Sequence, residues 1–124
     1  MAQQAGNLLV ADADPRVRRA LRTLARAAGP WTVVEAADAE QAHRAARPTA
    51  AVVEPLLPAL AQGCALIRDL TGCGVRVLAL SLRAESEPAA RAAGATAFLT
   101  KSCTPEHLLE GIERMLAVPV TRRA

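Results

Sequence analysis

Leu8-Leu9-Val10-Ala11-Asp12-Ala13-Asp14-Pro15 carries a short apolar run straight into a helix start. Four consecutive apolar residues, with no polar alternation, suit a strand covered on both faces. Asp14 is placed to act as N-cap. Pro15 follows at the first helical position, where its missing N–H goes unneeded. Val17, Leu21, Leu24 and Ala28 then recur at helical spacing until Gly29-Pro30 stops the run.

The same unit repeats outward from this stretch. Residues 31–34 read as a second strand, and Asp38 caps a helix predicted over 39–47, stopped by Pro48. Residues 50–53 are a third strand, apolar on both faces. A Pro-containing loop over 54–62 leads to a helix from about 63 to 70, which ends near Gly72 and Gly74. Residues 75–80 form the fourth strand. A short Ala-rich helix over 88–93 is closed by Gly94, and 97–99 form the fifth strand. Thr104-Pro105-Glu106 opens the last helix, whose stripe is Leu108, Leu109, Ile112, Met115 and Leu116. Five such units with short connections predict a parallel sheet with helices on both faces, a doubly wound α/β fold. One domain is expected over 1–118, followed by a short tail over 119–124 that holds Pro119 and two arginines.

Composition narrows the core and the function classes. The chain has 124 residues with 29 alanines, and Trp31 and Phe98 are its only aromatics, so Ala, Val, Leu and Ile must fill the interior. The net charge of +3 does not by itself imply nucleic acid. Arg16, Arg18, Arg19, Arg22 and Arg26 cluster early. They read as the solvated face of a helix, with a basic docking surface as the alternative. Cys64, Cys73 and Cys103 lack metal-like spacing and are expected to be reduced, small buried hydrophobes. Neither a leader-like segment nor an apolar window long enough to span a bilayer is found, which predicts a soluble cytoplasmic protein without membrane contact. No helix-turn-helix follows the repeated units, so direct nucleic-acid binding is not expected.

Ligand sites of open α/β sheets form at the carboxyl ends of the strands. Asp12, Glu54, Ser81 and Lys101 stand at four of those ends. Two carboxylates brought together repel unless a cation intervenes, and Lys101 is the one lysine among fifteen basic residues. A compact ammonium suits single carboxylate or phosphate oxygens.

At these residues the chain resembles the receiver domains of bacterial response regulators, the CheY-like family, from about Leu8 to Leu116. The resemblance is carried by residues 8–15, by Val-Val-Glu-Pro-Leu-Leu-Pro (52–58) and by Val-Leu-Ala-Leu-Ser (77–81). It continues in Ala-Ala-Gly-Ala-Thr-Ala-Phe-Leu-Thr-Lys (92–101) and Thr-Pro-Glu-His-Leu-Leu (104–109). It implies the flavodoxin-like strand order 2-1-3-4-5. It also implies a site in which an acidic pair holds Mg²⁺ and an Asp after the third strand takes the phosphoryl group. A hydroxyl and a lysine read the phosphate there, and an aromatic swings inward.

Carried across, Asp12 matches the first acid, Ala13 falls where the second would be, and Glu54 replaces the acceptor Asp. Asp14 lies in the same acidic pocket but is the expected helix cap. Ser81 and Lys101 match the reading positions. Phe98 matches the aromatic, although a lone ring in an aliphatic domain also serves as core filler. Losing a carboxylate at Ala13 leaves weak Mg²⁺ binding at best, through Asp12 and Glu54 if at all. Glu54 is one methylene too long for in-line transfer, where a misplacement near 1 Å costs roughly 10²-fold. Its carboxylate is expected to pair with Lys101, with Ser81 as a further partner. Leu82 is expected to close the crevice.

The expected function is therefore a phosphorylation-independent signalling and protein-interaction module, with no enzyme activity and no cofactor. The alternatives are a still-switchable phosphotransfer receiver and a small-molecule-sensing domain. A partner or a second copy is expected on the face of the fourth helix, fifth strand and fifth helix, through Arg91, His107, Glu110 and Arg114, with His107 as a solvated surface residue.

Overall fold

The computed structural model describes residues 6–45 and 47–117, and strands alternate with helices throughout. The strands are β1 (Asn7–Ala11), β2 (Thr32–Ala36), β3 (Ala50–Val53), β4 (Arg76–Ser81) and β5 (Ala97–Thr100). The helices are α1 (Pro15–Ala28), α2 (Ala39–Arg44), α3 (Leu60–Gly72), α4 (Glu87–Ala93) and α5 (Pro105–Ala117). All pairings are parallel and the order is β2-β1-β3-β4-β5, the expected doubly wound arrangement. The tail predicted over 119–124 lies outside the described residues. Among the described residues no helix is long and apolar enough to cross a membrane.

Successive strand side chains point to opposite faces, and that alternation splits the core in two. Leu9, Ala11, Ala51, Val53, Val77 and Ala79 meet α2, α3 and α4 on one face. Leu8, Val10, Ala50, Val52, Leu78 and Leu80 meet α1 and α5 on the other. The central strand β3 is buried at every position, as its unbroken apolar run requires. Each fully buried Leu or Ile, such as Leu21, Leu66, Ile67 and Ile112, contributes roughly 1.5–3 kcal/mol relative to leaving it in water. Small side chains in this layer, such as Ala79 and Ala90, let the helices lie close to the sheet.

Element existence follows the sequence reading, and several boundaries do not. β2 starts one residue later and runs on to Ala36, because it pairs with β1 to the end of that strand. α2 stops at Arg44 rather than reaching 47. Ala45 is already extended at φ −63° and ψ 148°, three residues before Pro48, which itself disfavours helix at its predecessor. α3 begins at Leu60 instead of 63. Its cap, Ala59, has no side-chain hydrogen bond, so no residue type marks the start. A single turn of 3-10 helix over Ala84–Ser86 precedes α4. Of the three free cysteines only Cys64 is buried; Cys73 is exposed and Cys103 intermediate, so the buried reading holds for one.

Candidate functional site: a charge-locked crevice at the strand ends

Asp12, Glu54 and Lys101 are brought together from three different connections. Each lies one residue past its strand, at the ends of β1, β3 and β5. The parallel register aligns those ends: Ala11 is opposite Val53, and Ser81 opposite Thr100. Backbone hydrogen bonds extend the ladder one step further, from Glu54 N–H to the Ala11 carbonyl at 2.9 Å and from Lys101 N–H to the Ser81 carbonyl at 2.8 Å.

Lys101 Nζ donates to Asp12 Oδ2 at 2.7 Å and to Glu54 Oε1 at 2.9 Å. The three side chains are 13 %, 5 % and 9 % exposed, so this is a nearly buried triad. The remaining carboxylate oxygens are also engaged. Asp12 Oδ1 accepts from the Asp14 N–H at 2.9 Å, and Glu54 Oε2 accepts from the Leu56 N–H at 3.0 Å. Burial pulls the Lys101 ammonium toward deprotonation, but its hydrogen bonds to Asp12 and Glu54, with their charges, outweigh this. Its pKa lies above the ordinary lysine value. The triad carries two negative charges and one positive.

The other expected site residues are placed differently. Asp14 caps α1 through the Arg16 N–H at 2.9 Å and pairs with the Arg16 guanidinium at 3.1 Å. Those bonds to Arg16 hold its carboxyl below the usual carboxylate value. The Ser81 hydroxyl is buried, but it accepts from the Arg83 N–H at 3.1 Å and closes its own loop; its expected bond to Glu54 is not among those formed. Leu82 does not close the crevice. It stands 75 % exposed at the rim, because the loop turns its side chain to solvent one residue past the buried end of β4. Phe98 is half-buried and packs on the core layer shared with α4. Arg91, His107, Glu110 and Arg114 are all exposed on the α4–β5–α5 side, and Arg91 pairs with Glu87 at 2.8 Å.

Two supporting residues escaped the sequence reading. Arg18 belongs to the arginine cluster assigned to solvent, yet its side chain is only 16 % exposed. Its Nη1 donates to the Asp12 carbonyl at 2.6 Å and its Nε to Glu35 Oε1 at 2.9 Å, bracing the turn that presents Asp12. Its place beside Val17, on the edge of the apolar stripe, was the available signal. Gly63 is the second. A Cβ there would fall 1.7 Å from the Pro55 carbonyl oxygen, so only glycine lets α3 press against the residue after Glu54.

No protein-family model matches the sequence, and no curated protein does. Solved structures do. A LuxR-family two-component response regulator from Aurantimonas sp. is 30% identical, with 92% of this chain and 86% of that one aligned at a TM-score of 0.78. The chemotaxis response regulator CheY4 of Vibrio cholerae is 23% identical over 90% and 99% of the two chains, at 0.76. A CheY-like receiver domain protein from Methanospirillum hungatei is 22% identical over 91% and 94%, at 0.77. The five-stranded order, the strand-end crevice and these likenesses agree: the chain belongs to the response-regulator receiver domains, the CheY-like family.

Proposed function

We propose that the chain is an atypical receiver that signals through protein contacts without being phosphorylated. The observation that carries this reading is the ammonium of Lys101 clamped between Asp12 and Glu54. In a receiver that accepts phosphate, the resemblance gives this lysine the role of reading the phosphoryl group. Here the lysine meets a resident carboxylate one methylene longer than the family's acceptor. A phosphoryl group carries roughly −1.5 to −2 charges, so Glu54 is a partial stand-in with a single charge and no tetrahedral oxygens.

The residues present do not fit the family's Mg²⁺. That ion needs near-octahedral oxygen ligation. Ala13 offers no ligand, Asp14 is committed to the helix cap, and each oxygen of Asp12 and Glu54 already accepts a hydrogen bond. We therefore assign no metal, no cofactor and no catalytic step to the crevice. The output surface is the α4–β5–α5 face, where Arg91, His107, Glu110 and Arg114 are available to a protein partner or a second copy. The domain acts in the cytoplasm, without direct contact to nucleic acid.

The test is a two-dimensional amide NMR spectrum of the chain, titrated with Mg²⁺ and then with beryllofluoride, a phosphoryl mimic. The proposal expects the Asp12, Glu54, Ser81 and Lys101 amides to stay where they are. Saturable shifts clustered at those four would overturn it and leave a working phosphoryl switch.

A further inference from the structure

We infer that the cleft between α2 and α3 binds a small carboxylic acid, as its anion, with an aromatic or short aliphatic body. The inference is independent of the reading above, because it uses neither the strand-end crevice nor the α4–β5–α5 face.

The cleft lies at the opposite end of the sheet from the crevice. Pro48 stands two residues before β3 and Val75 one residue before β4, and both line it. Its volume is about 150 Å³. An apolar cavity of that size holds one benzene ring. The walls suit such a body: Ala42, Leu66, Leu70 and Val75 line the cleft, and none is more than 9 % exposed.

His43, Arg47, Asp69 and Cys73 also line the cleft, and all four are exposed. Three of them set the charge that a ligand meets. His43 bridges the two helices. Its Nδ1 lies 2.8 Å from the Ala39 carbonyl oxygen and its Nε2 3.0 Å from Asp69 Oδ2. A carbonyl and an ionised carboxylate can only accept, so both bonds are made when both ring nitrogens carry hydrogen. In that form the ring is a cation and offsets the Asp69 charge. Arg47 has no ion-pair partner among the described residues, which leaves one positive charge over. At the end of α3, the Leu70 and Thr71 carbonyls already accept from the N–H groups of Cys73, Gly74 and Val75. They make no call on a cationic ligand.

A guanidinium without a partner beside an apolar cleft selects a carboxylate with a hydrocarbon body. The fork takes both carboxylate oxygens, and the body removes apolar wall from water. An amine would be repelled by Arg47. Inorganic phosphate would meet the guanidinium but leave the walls wet.

The experiment is a two-dimensional amide NMR titration of the whole chain with sodium benzoate at constant ionic strength. It is run at about pH 6, where an ordinary histidine is largely protonated. Saturable shifts are expected at Arg47, Leu70, Cys73 and Val75, with a Kd of about 1–10 mM for so small a ligand. Benzyl alcohol, which lacks the charge, and inorganic phosphate, which lacks the body, should each bind at least about tenfold more weakly. Arg47→Met should weaken benzoate binding at least about tenfold, and Arg47→Lys less, because the charge stays while the fork goes. Cys73 supplies a second readout. Its alkylation by iodoacetamide, followed by mass spectrometry, should slow about tenfold with benzoate at about ten times its Kd. Cys103, which does not line the cleft, should keep its rate. The absence of saturable shifts, shifts centred elsewhere, or equal binding of benzyl alcohol or phosphate would each overturn the inference. So would an Arg47→Met chain that binds benzoate as the wild type does, or a Cys73 rate indifferent to benzoate.

Discussion

Lys101 and Arg91 each hold a glutamate at nearly the same distance, 2.9 Å to Glu54 and 2.8 Å to Glu87. The Lys101 side chain is 13 % exposed and the Arg91 side chain 48 %. At Arg91, water and salt screen the pair and either side chain can swing away at little cost. In the crevice, removing the shared ammonium strands two carboxylates that the surroundings cannot solvate. Burial, more than contact distance, decides which ion pair fixes a conformation. The crevice ties three strand ends together through buried charges, while the helical surface carries its charges in water.

That contrast can be broken most severely at Lys101. Lys101→Met leaves Asp12 and Glu54 facing each other without a cation, and is expected to cost about 3–5 kcal/mol in denaturant unfolding. A loss below about 1 kcal/mol would mean that water already screens the triad. Next comes Gly63→Ala, which drives a methyl group into the Pro55 carbonyl. About 1–3 kcal/mol is expected, together with NMR shifts of the Leu56 amide as the Glu54 loop moves.

Glu54→Gln is expected to cost less, about 1 kcal/mol, because Lys101 keeps Asp12 at 2.7 Å and the remaining pair is neutral overall. Measuring it alone and combined with Lys101→Met gives the coupling between the two side chains. At the far end, Arg91→Ala and Leu82→Ser should each change stability by no more than about 0.5 kcal/mol. A larger effect at Leu82 would show that its side chain packs on the crevice after all.

The pH dependence of the triad has a definite sign. Lys101 has a raised pKa in the folded chain, so its contribution is complete below the unfolded lysine value of about 10.4. It is lost as pH rises through the folded value. Stability should therefore fall in strongly alkaline solution, and Lys101→Met should flatten that limb of the profile. Asp14 works at the opposite end. Its lowered pKa makes its contribution present above about pH 3.9 and lost in stronger acid.

Local chemistry wrote much of this structure into the chain. Unbroken apolar runs gave β1 and β3 because a central parallel strand has no wet face. Asp14-Pro15 and Asp38 marked helix starts because orphan N–H groups need an acceptor. The strand-end rule, with the family resemblance, gathers Asp12, Glu54 and Lys101 from the sequence alone. What the sequence could not determine depends on which way a side chain turns once distant segments meet. Arg18 and Arg19 are neighbours of the same type, yet one braces Asp12 and the other faces solvent, because α1 packs on the sheet at one particular rotation. Ser81 and Leu82 sit at adjacent positions, and the loop after β4 turns one hydroxyl onto Arg83 and the next side chain into water. α1 and α5 come to cover the same side of the sheet only through the winding of the chain, because some eighty positions separate them in sequence.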